Sequence, residues 1–486
     1  MDSVPSETRP APLPLPLHKG EVPLYMETGK AYPRAVAGLF RSVKWWTMLL
    51  TLAWWHLGPL LRWDRGPGAP DQAILIDLPG RRAYVLFIEI WPQEIYYLTG
   101  ILAISAILLF LMSAVAGRVW CGFICWQTVY TDLFVWVEKQ VVGDRNQRIA
   151  FDRTPMSGSK LAKLAAINLA WAAISLACGV GFTLWFGDAF QMLRDIFTFN
   201  ASVPVYVFIV VLGGFCFLLA GYARERVCVY LCPYSRFQAA MFDEHSLIIT
   251  YEAWRGEPGG PARKGQSFEG RGHCVDCRAC IQACPTGIDI RRGNQLACIG
   301  CALCIDACDS VMDRYDLPRG LISYDSSANV EARGKGGAGR LRIIRPRTLI
   351  YGGVMALVAT IMTVRLVSRP DVDVNVLHER SPLFVQMSDG SIRNGYVYKV
   401  LNMKAEDRTF RVSLEGAAGA TMDVVGGESH VSQVSLQVPR DSVGTFRVYV
   451  STPFDKVTAK AMPLTFVLEG SSRTIRSESL FAGPEK

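Results

Sequence analysis

The chain has 486 residues, half of them hydrophobic, and a formal charge of +8. It is too long for one small domain and apolar enough for several membrane spans. Residues 371–486 hold 13 basic and 14 acidic side chains, so the surplus lies in the first 370 residues; that asymmetry reads as membrane orientation, not nucleic-acid binding.

Residues 1–43 are proline-rich, then polar. They lack the apolar core of a signal peptide and are expected to form an uncleaved cytoplasmic tail. Five apolar stretches follow, at about 45–61, 95–116, 164–186, 203–220 and 349–367, each near the roughly 20 residues that cross the hydrocarbon layer. Trp45, Trp46, Trp54 and Trp55 rim the first as interface residues would. The run Tyr84–Trp91 is too short to span and is expected at the surface. Segment 117–163 carries seven basic residues, whereas 187–202 carries only Arg194. The positive-inside rule then puts the N-terminus and segments 117–163 and 221–348 in the cytoplasm, and everything after 367 outside. Within 117–163, Asp132 and Glu138 read as a solvated polar face, with Trp136 as an interface anchor.

The expected domains are therefore the tail 1–43, four spans within 44–220, a cytoplasmic segment 221–348, a fifth span 349–367 and an outer domain 371–486. In that last segment Phe410, Val412 and Leu414 alternate with polar residues. So do Phe446, Val448 and Val450, and Leu464, Phe466 and Leu468. These are half-buried strands separated by turns, which suggests an immunoglobulin-like β-sandwich.

Fourteen cysteines resemble a disulfide framework only until they are placed. Eight form two runs, Cys274-x-x-Cys277-x-x-Cys280-x-x-x-Cys284 and Cys298-x-x-Cys301-x-x-Cys304-x-x-x-Cys308. This doubled spacing is the ligand set of a bacterial ferredoxin-like domain, at about 265–315, with two 4Fe–4S clusters. The fourth cysteine of each run serves the other cluster. Cys274, Cys277, Cys280 and Cys308 should hold one; Cys298, Cys301, Cys304 and Cys284 the other. Structural zinc rarely uses three cysteines at two-residue steps followed by a fourth, twice over.

Four more cysteines form Cys121-x-x-x-Cys125 and Cys228-x-x-x-Cys232-Pro233, each just past the end of a span. If helical, the i,i+4 spacing stacks two sulfurs on one face. Four soft thiolates meeting at the inner membrane surface would suit Cu(I), zinc or another Fe–S cluster. Cys178 and Cys216 lie inside spans and read as packing residues.

The order of parts resembles the cytochrome c oxidase accessory proteins of the FixG/CcoG/RdxA family. The resemblance rests on Gly29-Lys-Ala-Tyr-Pro-Arg34, Ala116-Gly-Arg-Val-Trp-Cys-Gly122, Val227-Cys-Val-Tyr-Leu-Cys-Pro-Tyr-Ser-Arg-Phe-Gln238 and Arg255-Gly-Glu-Pro258. It continues through both cysteine runs to Pro318-Arg-Gly-Leu-Ile322 and Arg393-Asn394. Departures fall at Trp126, Val142, Asn168 and Gly214–Gly221, and they spare the cysteine runs. The resemblance implies a multi-pass protein of the bacterial inner membrane with a periplasmic C-terminal domain. It also implies an oxidoreductase that reduces Cu(II) to Cu(I), its copper substrate, for the copper–haem site of cbb-type cytochrome c oxidase. Copper would be handled by Cys121, Cys125, Cys228 and Cys232. The implied partners are the membrane, oxidase subunits or assembly factors, and a cytoplasmic electron donor. Two other readings of the same parts are a quinone-linked electron-transfer subunit and a non-catalytic assembly scaffold.

Overall fold

The computed structural model describes residues 30–66, 69–404, 406–470 and 474–484; the proline-rich start of the tail, with Gly29, lies outside them. The chain divides into one compact unit ending at Met362 and another beginning at Thr363.

The first unit opens with helix α1 (Leu39–Leu57). A small antiparallel sheet follows, formed by β1 (Ile74–Asp77), β2 (Arg82–Val85) and β3 (Ile88–Ile90). It absorbs most of the run Tyr84–Trp91. Next come α2 (Tyr96–Ala116), α3 (Trp126–Val142), α4 (Arg145–Arg153), α5 (Gly158–Thr183), α6 (Ala189–Phe197), α7 (Val203–Cys216) and α8 (Pro233–Met241). The remainder contains β4 (Ile248–Tyr251), α9 (Ala253–Gly256), α10 (Ala279–Ala283), α11 (Leu303–Arg314), β5 (Ile322–Asp325), α12 (Ser327–Gly334) and α13 (Pro346–Val367).

Among the described residues, four helical segments are long and apolar enough to cross a membrane: Pro92–Ala116, Gly158–Phe186, Val203–Ala223 and Pro346–Val367. Their apolar side chains point largely outward, as suits lipid as solvent. The first expected stretch is not among them. Arg41 and Lys44 lie in the opening turns of α1, and four tryptophans dilute its apolar character. Even so, its 19 residues extend about 28 Å. Its C-terminal end meets that of α5, where Trp55 Nε1 donates to the Cys178 carbonyl at 3.3 Å and the Trp54 and Trp185 rings lie 6.0 Å apart.

The N-terminus of α1 is held by a distant carboxylate. Asp306, on α11, accepts the backbone N–H groups of Phe40 at 3.2 Å and Arg41 at 2.7 Å. Those are orphan donors of the first turn, and a negative charge there complements the helix dipole. A side chain at Gly38 would collide with this cap, because its Cβ would run into the Asp306 carboxyl group.

Asp132 and Glu138 do not form a solvated face. Asp132 takes both oxygens to Arg41 Nη1, at 3.0 and 2.8 Å, with Lys44 Nζ at 3.7 Å. Glu138 is 6 % exposed and pairs with Arg148 at 3.2 Å and with Arg224. Two basic residues far apart in the chain bury this carboxylate with full compensation, which a reading of α3 alone misses.

The second unit is a β-sandwich. Its strands are β6 (Val372–His378), β7 (Val385–Gln386), β8 (Ile392–Asn402), β9 (Arg408–Glu415), β10 (Thr421–Val424), β11 (Gln433–Val438), β12 (Ser442–Thr452), β13 (Ala461–Glu469) and β14 (Ile475–Ala482). One sheet runs β10-β12-β8-β6 with β7 also on β8; the other runs β11-β9-β13-β14. The alternating segments are β9, β12 and β13, and their inward residues join Tyr396, Tyr398 and Phe481 in one core. Asn394 on β8 is fully buried and ties to the last strand: its Nδ2 donates to the Ala482 carbonyl at 2.8 Å, and its Oδ1 accepts the Ala482 N–H at 2.9 Å.

Candidate metal centres

The two cysteine runs repeat in backbone conformation as well as in sequence. Asp276 (φ 50°) and Arg278 (φ 56°) flank Cys277; Gly300 (φ 70°) and Ala302 (φ 60°) flank Cys301. Left-handed backbone on both sides of the second cysteine curls each loop around a common centre. Three of these four are non-glycine residues, in a conformation that L-residues adopt only where the surroundings demand it. The third cysteine of each run then opens a helix, α10 or α11.

Those curls enclose two small cavities of about 20 Å³ each. One is lined by Cys274, Cys277, Cys280 and Cys308. The other is lined by Cys284, Cys298, Cys301 and Cys304, with Cys280 at its edge. Each therefore gathers three cysteines of one run and the fourth of the other. The remaining walls are largely apolar, including Ile249, Ile290 and Ile299 around the second and Val311, Met312 and Leu321 around the first. Four sulfurs in an apolar cage fit a 4Fe–4S group at each position. The Arg291 guanidinium stands 4.0 Å from the Cys274 sulfur, with its charge shared by Asp276 and Asp289.

The membrane-proximal cysteines are not paired along an α-helix. Trp120–Ile124 and Val227–Leu231 are π-helical turns, and Cys125 and Cys232 have extended backbone as the caps of α3 and α8. In both motifs the first cysteine sits inside the turn and the second at the restart of the chain. Pro233 disfavours helical backbone at Cys232. Cys125 adopts ψ 129° without a following proline; there, Thr128 Oγ1 donates to the Cys121 carbonyl at 2.6 Å and stitches the turn.

The four thiols share one neighbourhood. Burial, then the thiols of Cys125, Cys121 and Cys232, push Cys228 up to about 12. Cys121 is likewise pushed up to about 12 by burial and by Cys125, against the lowering effect of Arg118. Among the described residues, no three cysteine, histidine or acidic side chains close on a single ion, at the membrane motifs or in the two cysteine runs. Cys178 and Cys216 pack in a separate apolar cluster with Tyr130 and Trp171.

Both motifs abut the second cysteine run. Gly122, between Cys121 and Cys125, lies so close that a Cβ would fall 2.6 Å from the Gly300 carbonyl oxygen and 3.0 Å from the Cys301 Cα. Phe123 enters the same hydrophobic core as Cys274 and Cys280. From the other motif, Cys228 packs beside Cys301, Ile299 and Leu303. Between the motifs and the run lies Arg118, 6 % exposed, which donates to the carbonyls of Cys298 at 2.9 Å, Leu296 and Ser235. No spacing rule singles out Arg118 or Gly122; the only sequence hint is that both fall within one of the stretches that carry the family resemblance.

Three family models match. One described as a 4Fe-4S dicluster domain covers residues 223–327, a 4Fe-4S binding domain covers 98–146, and the IG-like fold at the C-terminal of FixG covers 362–484. Nitrogen fixation protein FixG of Rhizobium meliloti (strain 1021) is 44 % identical over 460 residues, 89 % of this chain and 88 % of that protein. Proteins RdxA and RdxB of Cereibacter sphaeroides are 43 % and 45 % identical, over 89 % and 88 % of this chain and 91 % and 90 % of their own. With the dicluster segment, the C-terminal sandwich and the membrane-crossing helices all in place, the chain belongs to the FixG/RdxA family of membrane-bound iron–sulfur electron-transfer proteins.

Proposed function

We propose that this protein is a cupric reductase whose two iron–sulfur centres feed electrons to copper at the inner membrane surface. Cys274, Cys277, Cys280 and Cys308 hold one cluster, and Cys284, Cys298, Cys301 and Cys304 the other. When bound, each cluster supplies one-electron chemistry. Cys121, Cys125, Cys228 and Cys232 bind the substrate Cu(II), which takes one electron and leaves as Cu(I), the state that soft thiolate prefers. The observation that carries this reading is the contact of both membrane motifs with the loop around Cys301. Arg118, buried between the two sets of sulfurs, favours negative charge on Cys121 of one set and Cys298 of the other. The dicluster segment lies in the cytoplasm and the sandwich in the periplasm, as the distribution of basic loops supports. Assembly of a cbb-type oxidase is the purpose that the family resemblance suggests.

In the test, detergent-solubilised protein is reduced with dithionite and mixed with Cu(II) under a Cu(I) chelator. Bleached cluster absorbance should recover as Cu(I) appears in equal amount. Cys228→Ser and Cys232→Ser should lose copper reduction while keeping the cluster absorbance. Unchanged copper turnover in both variants rejects the assignment.

A second reading is favoured by one observation. Cys121 and Cys125 are the only cysteines in residues 98–146, which match a 4Fe-4S binding model. On that reading the four membrane-proximal cysteines hold a third cluster. Iron analysis decides between them: about twelve irons per chain, falling to about eight in Cys232→Ser, would favour the third cluster, whereas about eight in both favours copper.

A further inference from the structure

A cavity of about 340 Å³ opens beside the membrane motifs, between α1, α3 and the loop of the second cysteine run. Its volume is that of a small-molecule site. Trp45 and Trp136 line it, and so does Cys228. Five basic side chains face three acidic ones: Arg34, Arg41, Lys44, Lys139 and Arg224 against Asp132, Asp144 and Glu225. Most of the acids are engaged. Asp132 is held by Arg41, and Asp144 accepts the Ala35 N–H at 2.9 Å. Three cations stay undercompensated. Lys44 is 4 % exposed, and its one ion pair among the described residues is with the Asp132 oxygen, at 3.7 Å, already shared with Arg41, while the Glu225 carboxyl acts on it from farther off. Arg34 and Lys139 have no ion-pair partner among the described residues. Burial, with the nearby Arg148 and Arg41 charges, holds the Lys139 ammonium below its usual range, although Asp132 and Asp144 act the other way. Lys44 is buried without a carboxylate of its own, and half-buried Lys139 and exposed Arg34 line the same cavity, an arrangement that an anion would compensate.

We infer that this cavity receives a small thiol-bearing carboxylate anion of the glutathione class, which collects Cu(I) from Cys228. The inference rests on the copper reading above and adds the carrier to it. The carboxylates lie against Lys44, Lys139 and Arg34, and the thiol reaches the Cys228 wall. Transfer is a ligand exchange. The carrier sulfur bonds to copper as the Cys228–copper bond breaks, and the thiol proton passes to the released Cys228 sulfur. Copper stays Cu(I), no electron moves, and Cys228 is left as a thiol. The surplus of positive charge makes a free divalent cation an unsuitable occupant, which is why copper should leave as an anionic complex.

The test begins with copper-free, full-length protein in detergent, titrated with reduced glutathione and read by tryptophan fluorescence and calorimetry. Glutathione should bind, and its dimethyl ester, with both carboxylates neutral, should bind at least about tenfold more weakly. Lys139→Gln should weaken binding about threefold to tenfold while leaving the ester unaffected. Equal binding of acid and ester, or no binding at millimolar glutathione, overturns the proposal. Cu(I)-loaded protein supplies the second arm. Glutathione should release copper faster than neutral 2-mercaptoethanol, and Lys139→Gln should remove that difference; no difference between the thiols in the parent protein also overturns it. Protein that binds glutathione but retains no copper would instead reject the copper reading and leave an anion site without the transfer step.

Discussion

The guanidinium of Arg118 donates from Nη1 to the carbonyl oxygen of Cys298 at 2.9 Å, across 180 residues of chain. The same group feels the thiols of Cys121, Cys298, Cys228 and Cys232, and burial is the main influence that holds its own pKa below the usual arginine value. One cation thus serves both sets of sulfurs. Lys44 adds a second charge near Cys301. By contrast, Arg291 beside Cys274 is neutralised by two carboxylates.

This asymmetry should make the centre held by Cys284, Cys298, Cys301 and Cys304 the higher in potential, directing electrons toward the membrane motifs. A buried unit charge at about 8 Å, through an effective dielectric constant near 20, contributes about 2 kcal/mol, on the order of 90 mV for one electron. Arg118→Met should lower one of the two midpoint potentials by that order, read by redox titration with electron paramagnetic resonance. Two unshifted potentials in an iron-replete variant would refute the charge argument.

Gly122 sets how closely the first membrane motif approaches the second run. In Gly122→Ala the added methyl meets the backbone of Gly300, and overpacking of this kind costs about 1–3 kcal/mol. Stopped-flow reoxidation of the dithionite-reduced protein by Cu(II) should slow while cluster absorbance stays near normal. Reoxidation at the parent rate would mean that electrons leave by another route.

Crossed ligation can be tested from the far end of the chain. Cys308→Ser should deplete the centre built mainly by the first run, leaving about four of about eight irons and one of two reducible signals. The retained signal should be the one that shifts in Arg118→Met. Retention of the other signal would mean that each run ligates its own cluster.

Glu138 holds Arg148 and Arg224 in a buried network. Removing its charge leaves two buried cations short of a partner, an effect worth about 3–5 kcal/mol. Glu138→Gln should lower the thermal unfolding midpoint of the membrane unit by several degrees. A double variant that also neutralises Arg224 should recover part of the loss.

Much of this architecture was legible from local pattern. Three cysteines at two-residue steps announce a ligand loop, because a loop that wraps one cube needs that spacing. Apolar runs of membrane length, as in α2, α5, α7 and α13, read directly as candidate spans. The alternation of Phe410, Val412 and Leu414 marks β9 for the same reason: strand side chains alternate between faces. Local pattern misled at the membrane motifs, where the i,i+4 spacing implied a helix. The backbone instead makes a π-turn and restarts at Cys125 and Cys232. It misled again at Asp132, whose partner Arg41 lies 91 residues away, and at Glu138, which pairs with Arg148 10 residues on and with Arg224 86 residues on.

By itself, then, the sequence determined which residues can ligate iron, which segments can enter lipid and which strands build the sandwich, since each depends on side chains a few positions apart. Only the tertiary structure decided that Asp306 caps α1, that Gly122 lies against Gly300, that Arg118 stands between two sets of thiols, and that Lys44 and Cys228 line one cavity. These contacts reach across 178 to 266 positions of the chain. No short-range periodicity encodes such a distance, and the contacts form only when packing of the whole unit brings those surfaces together.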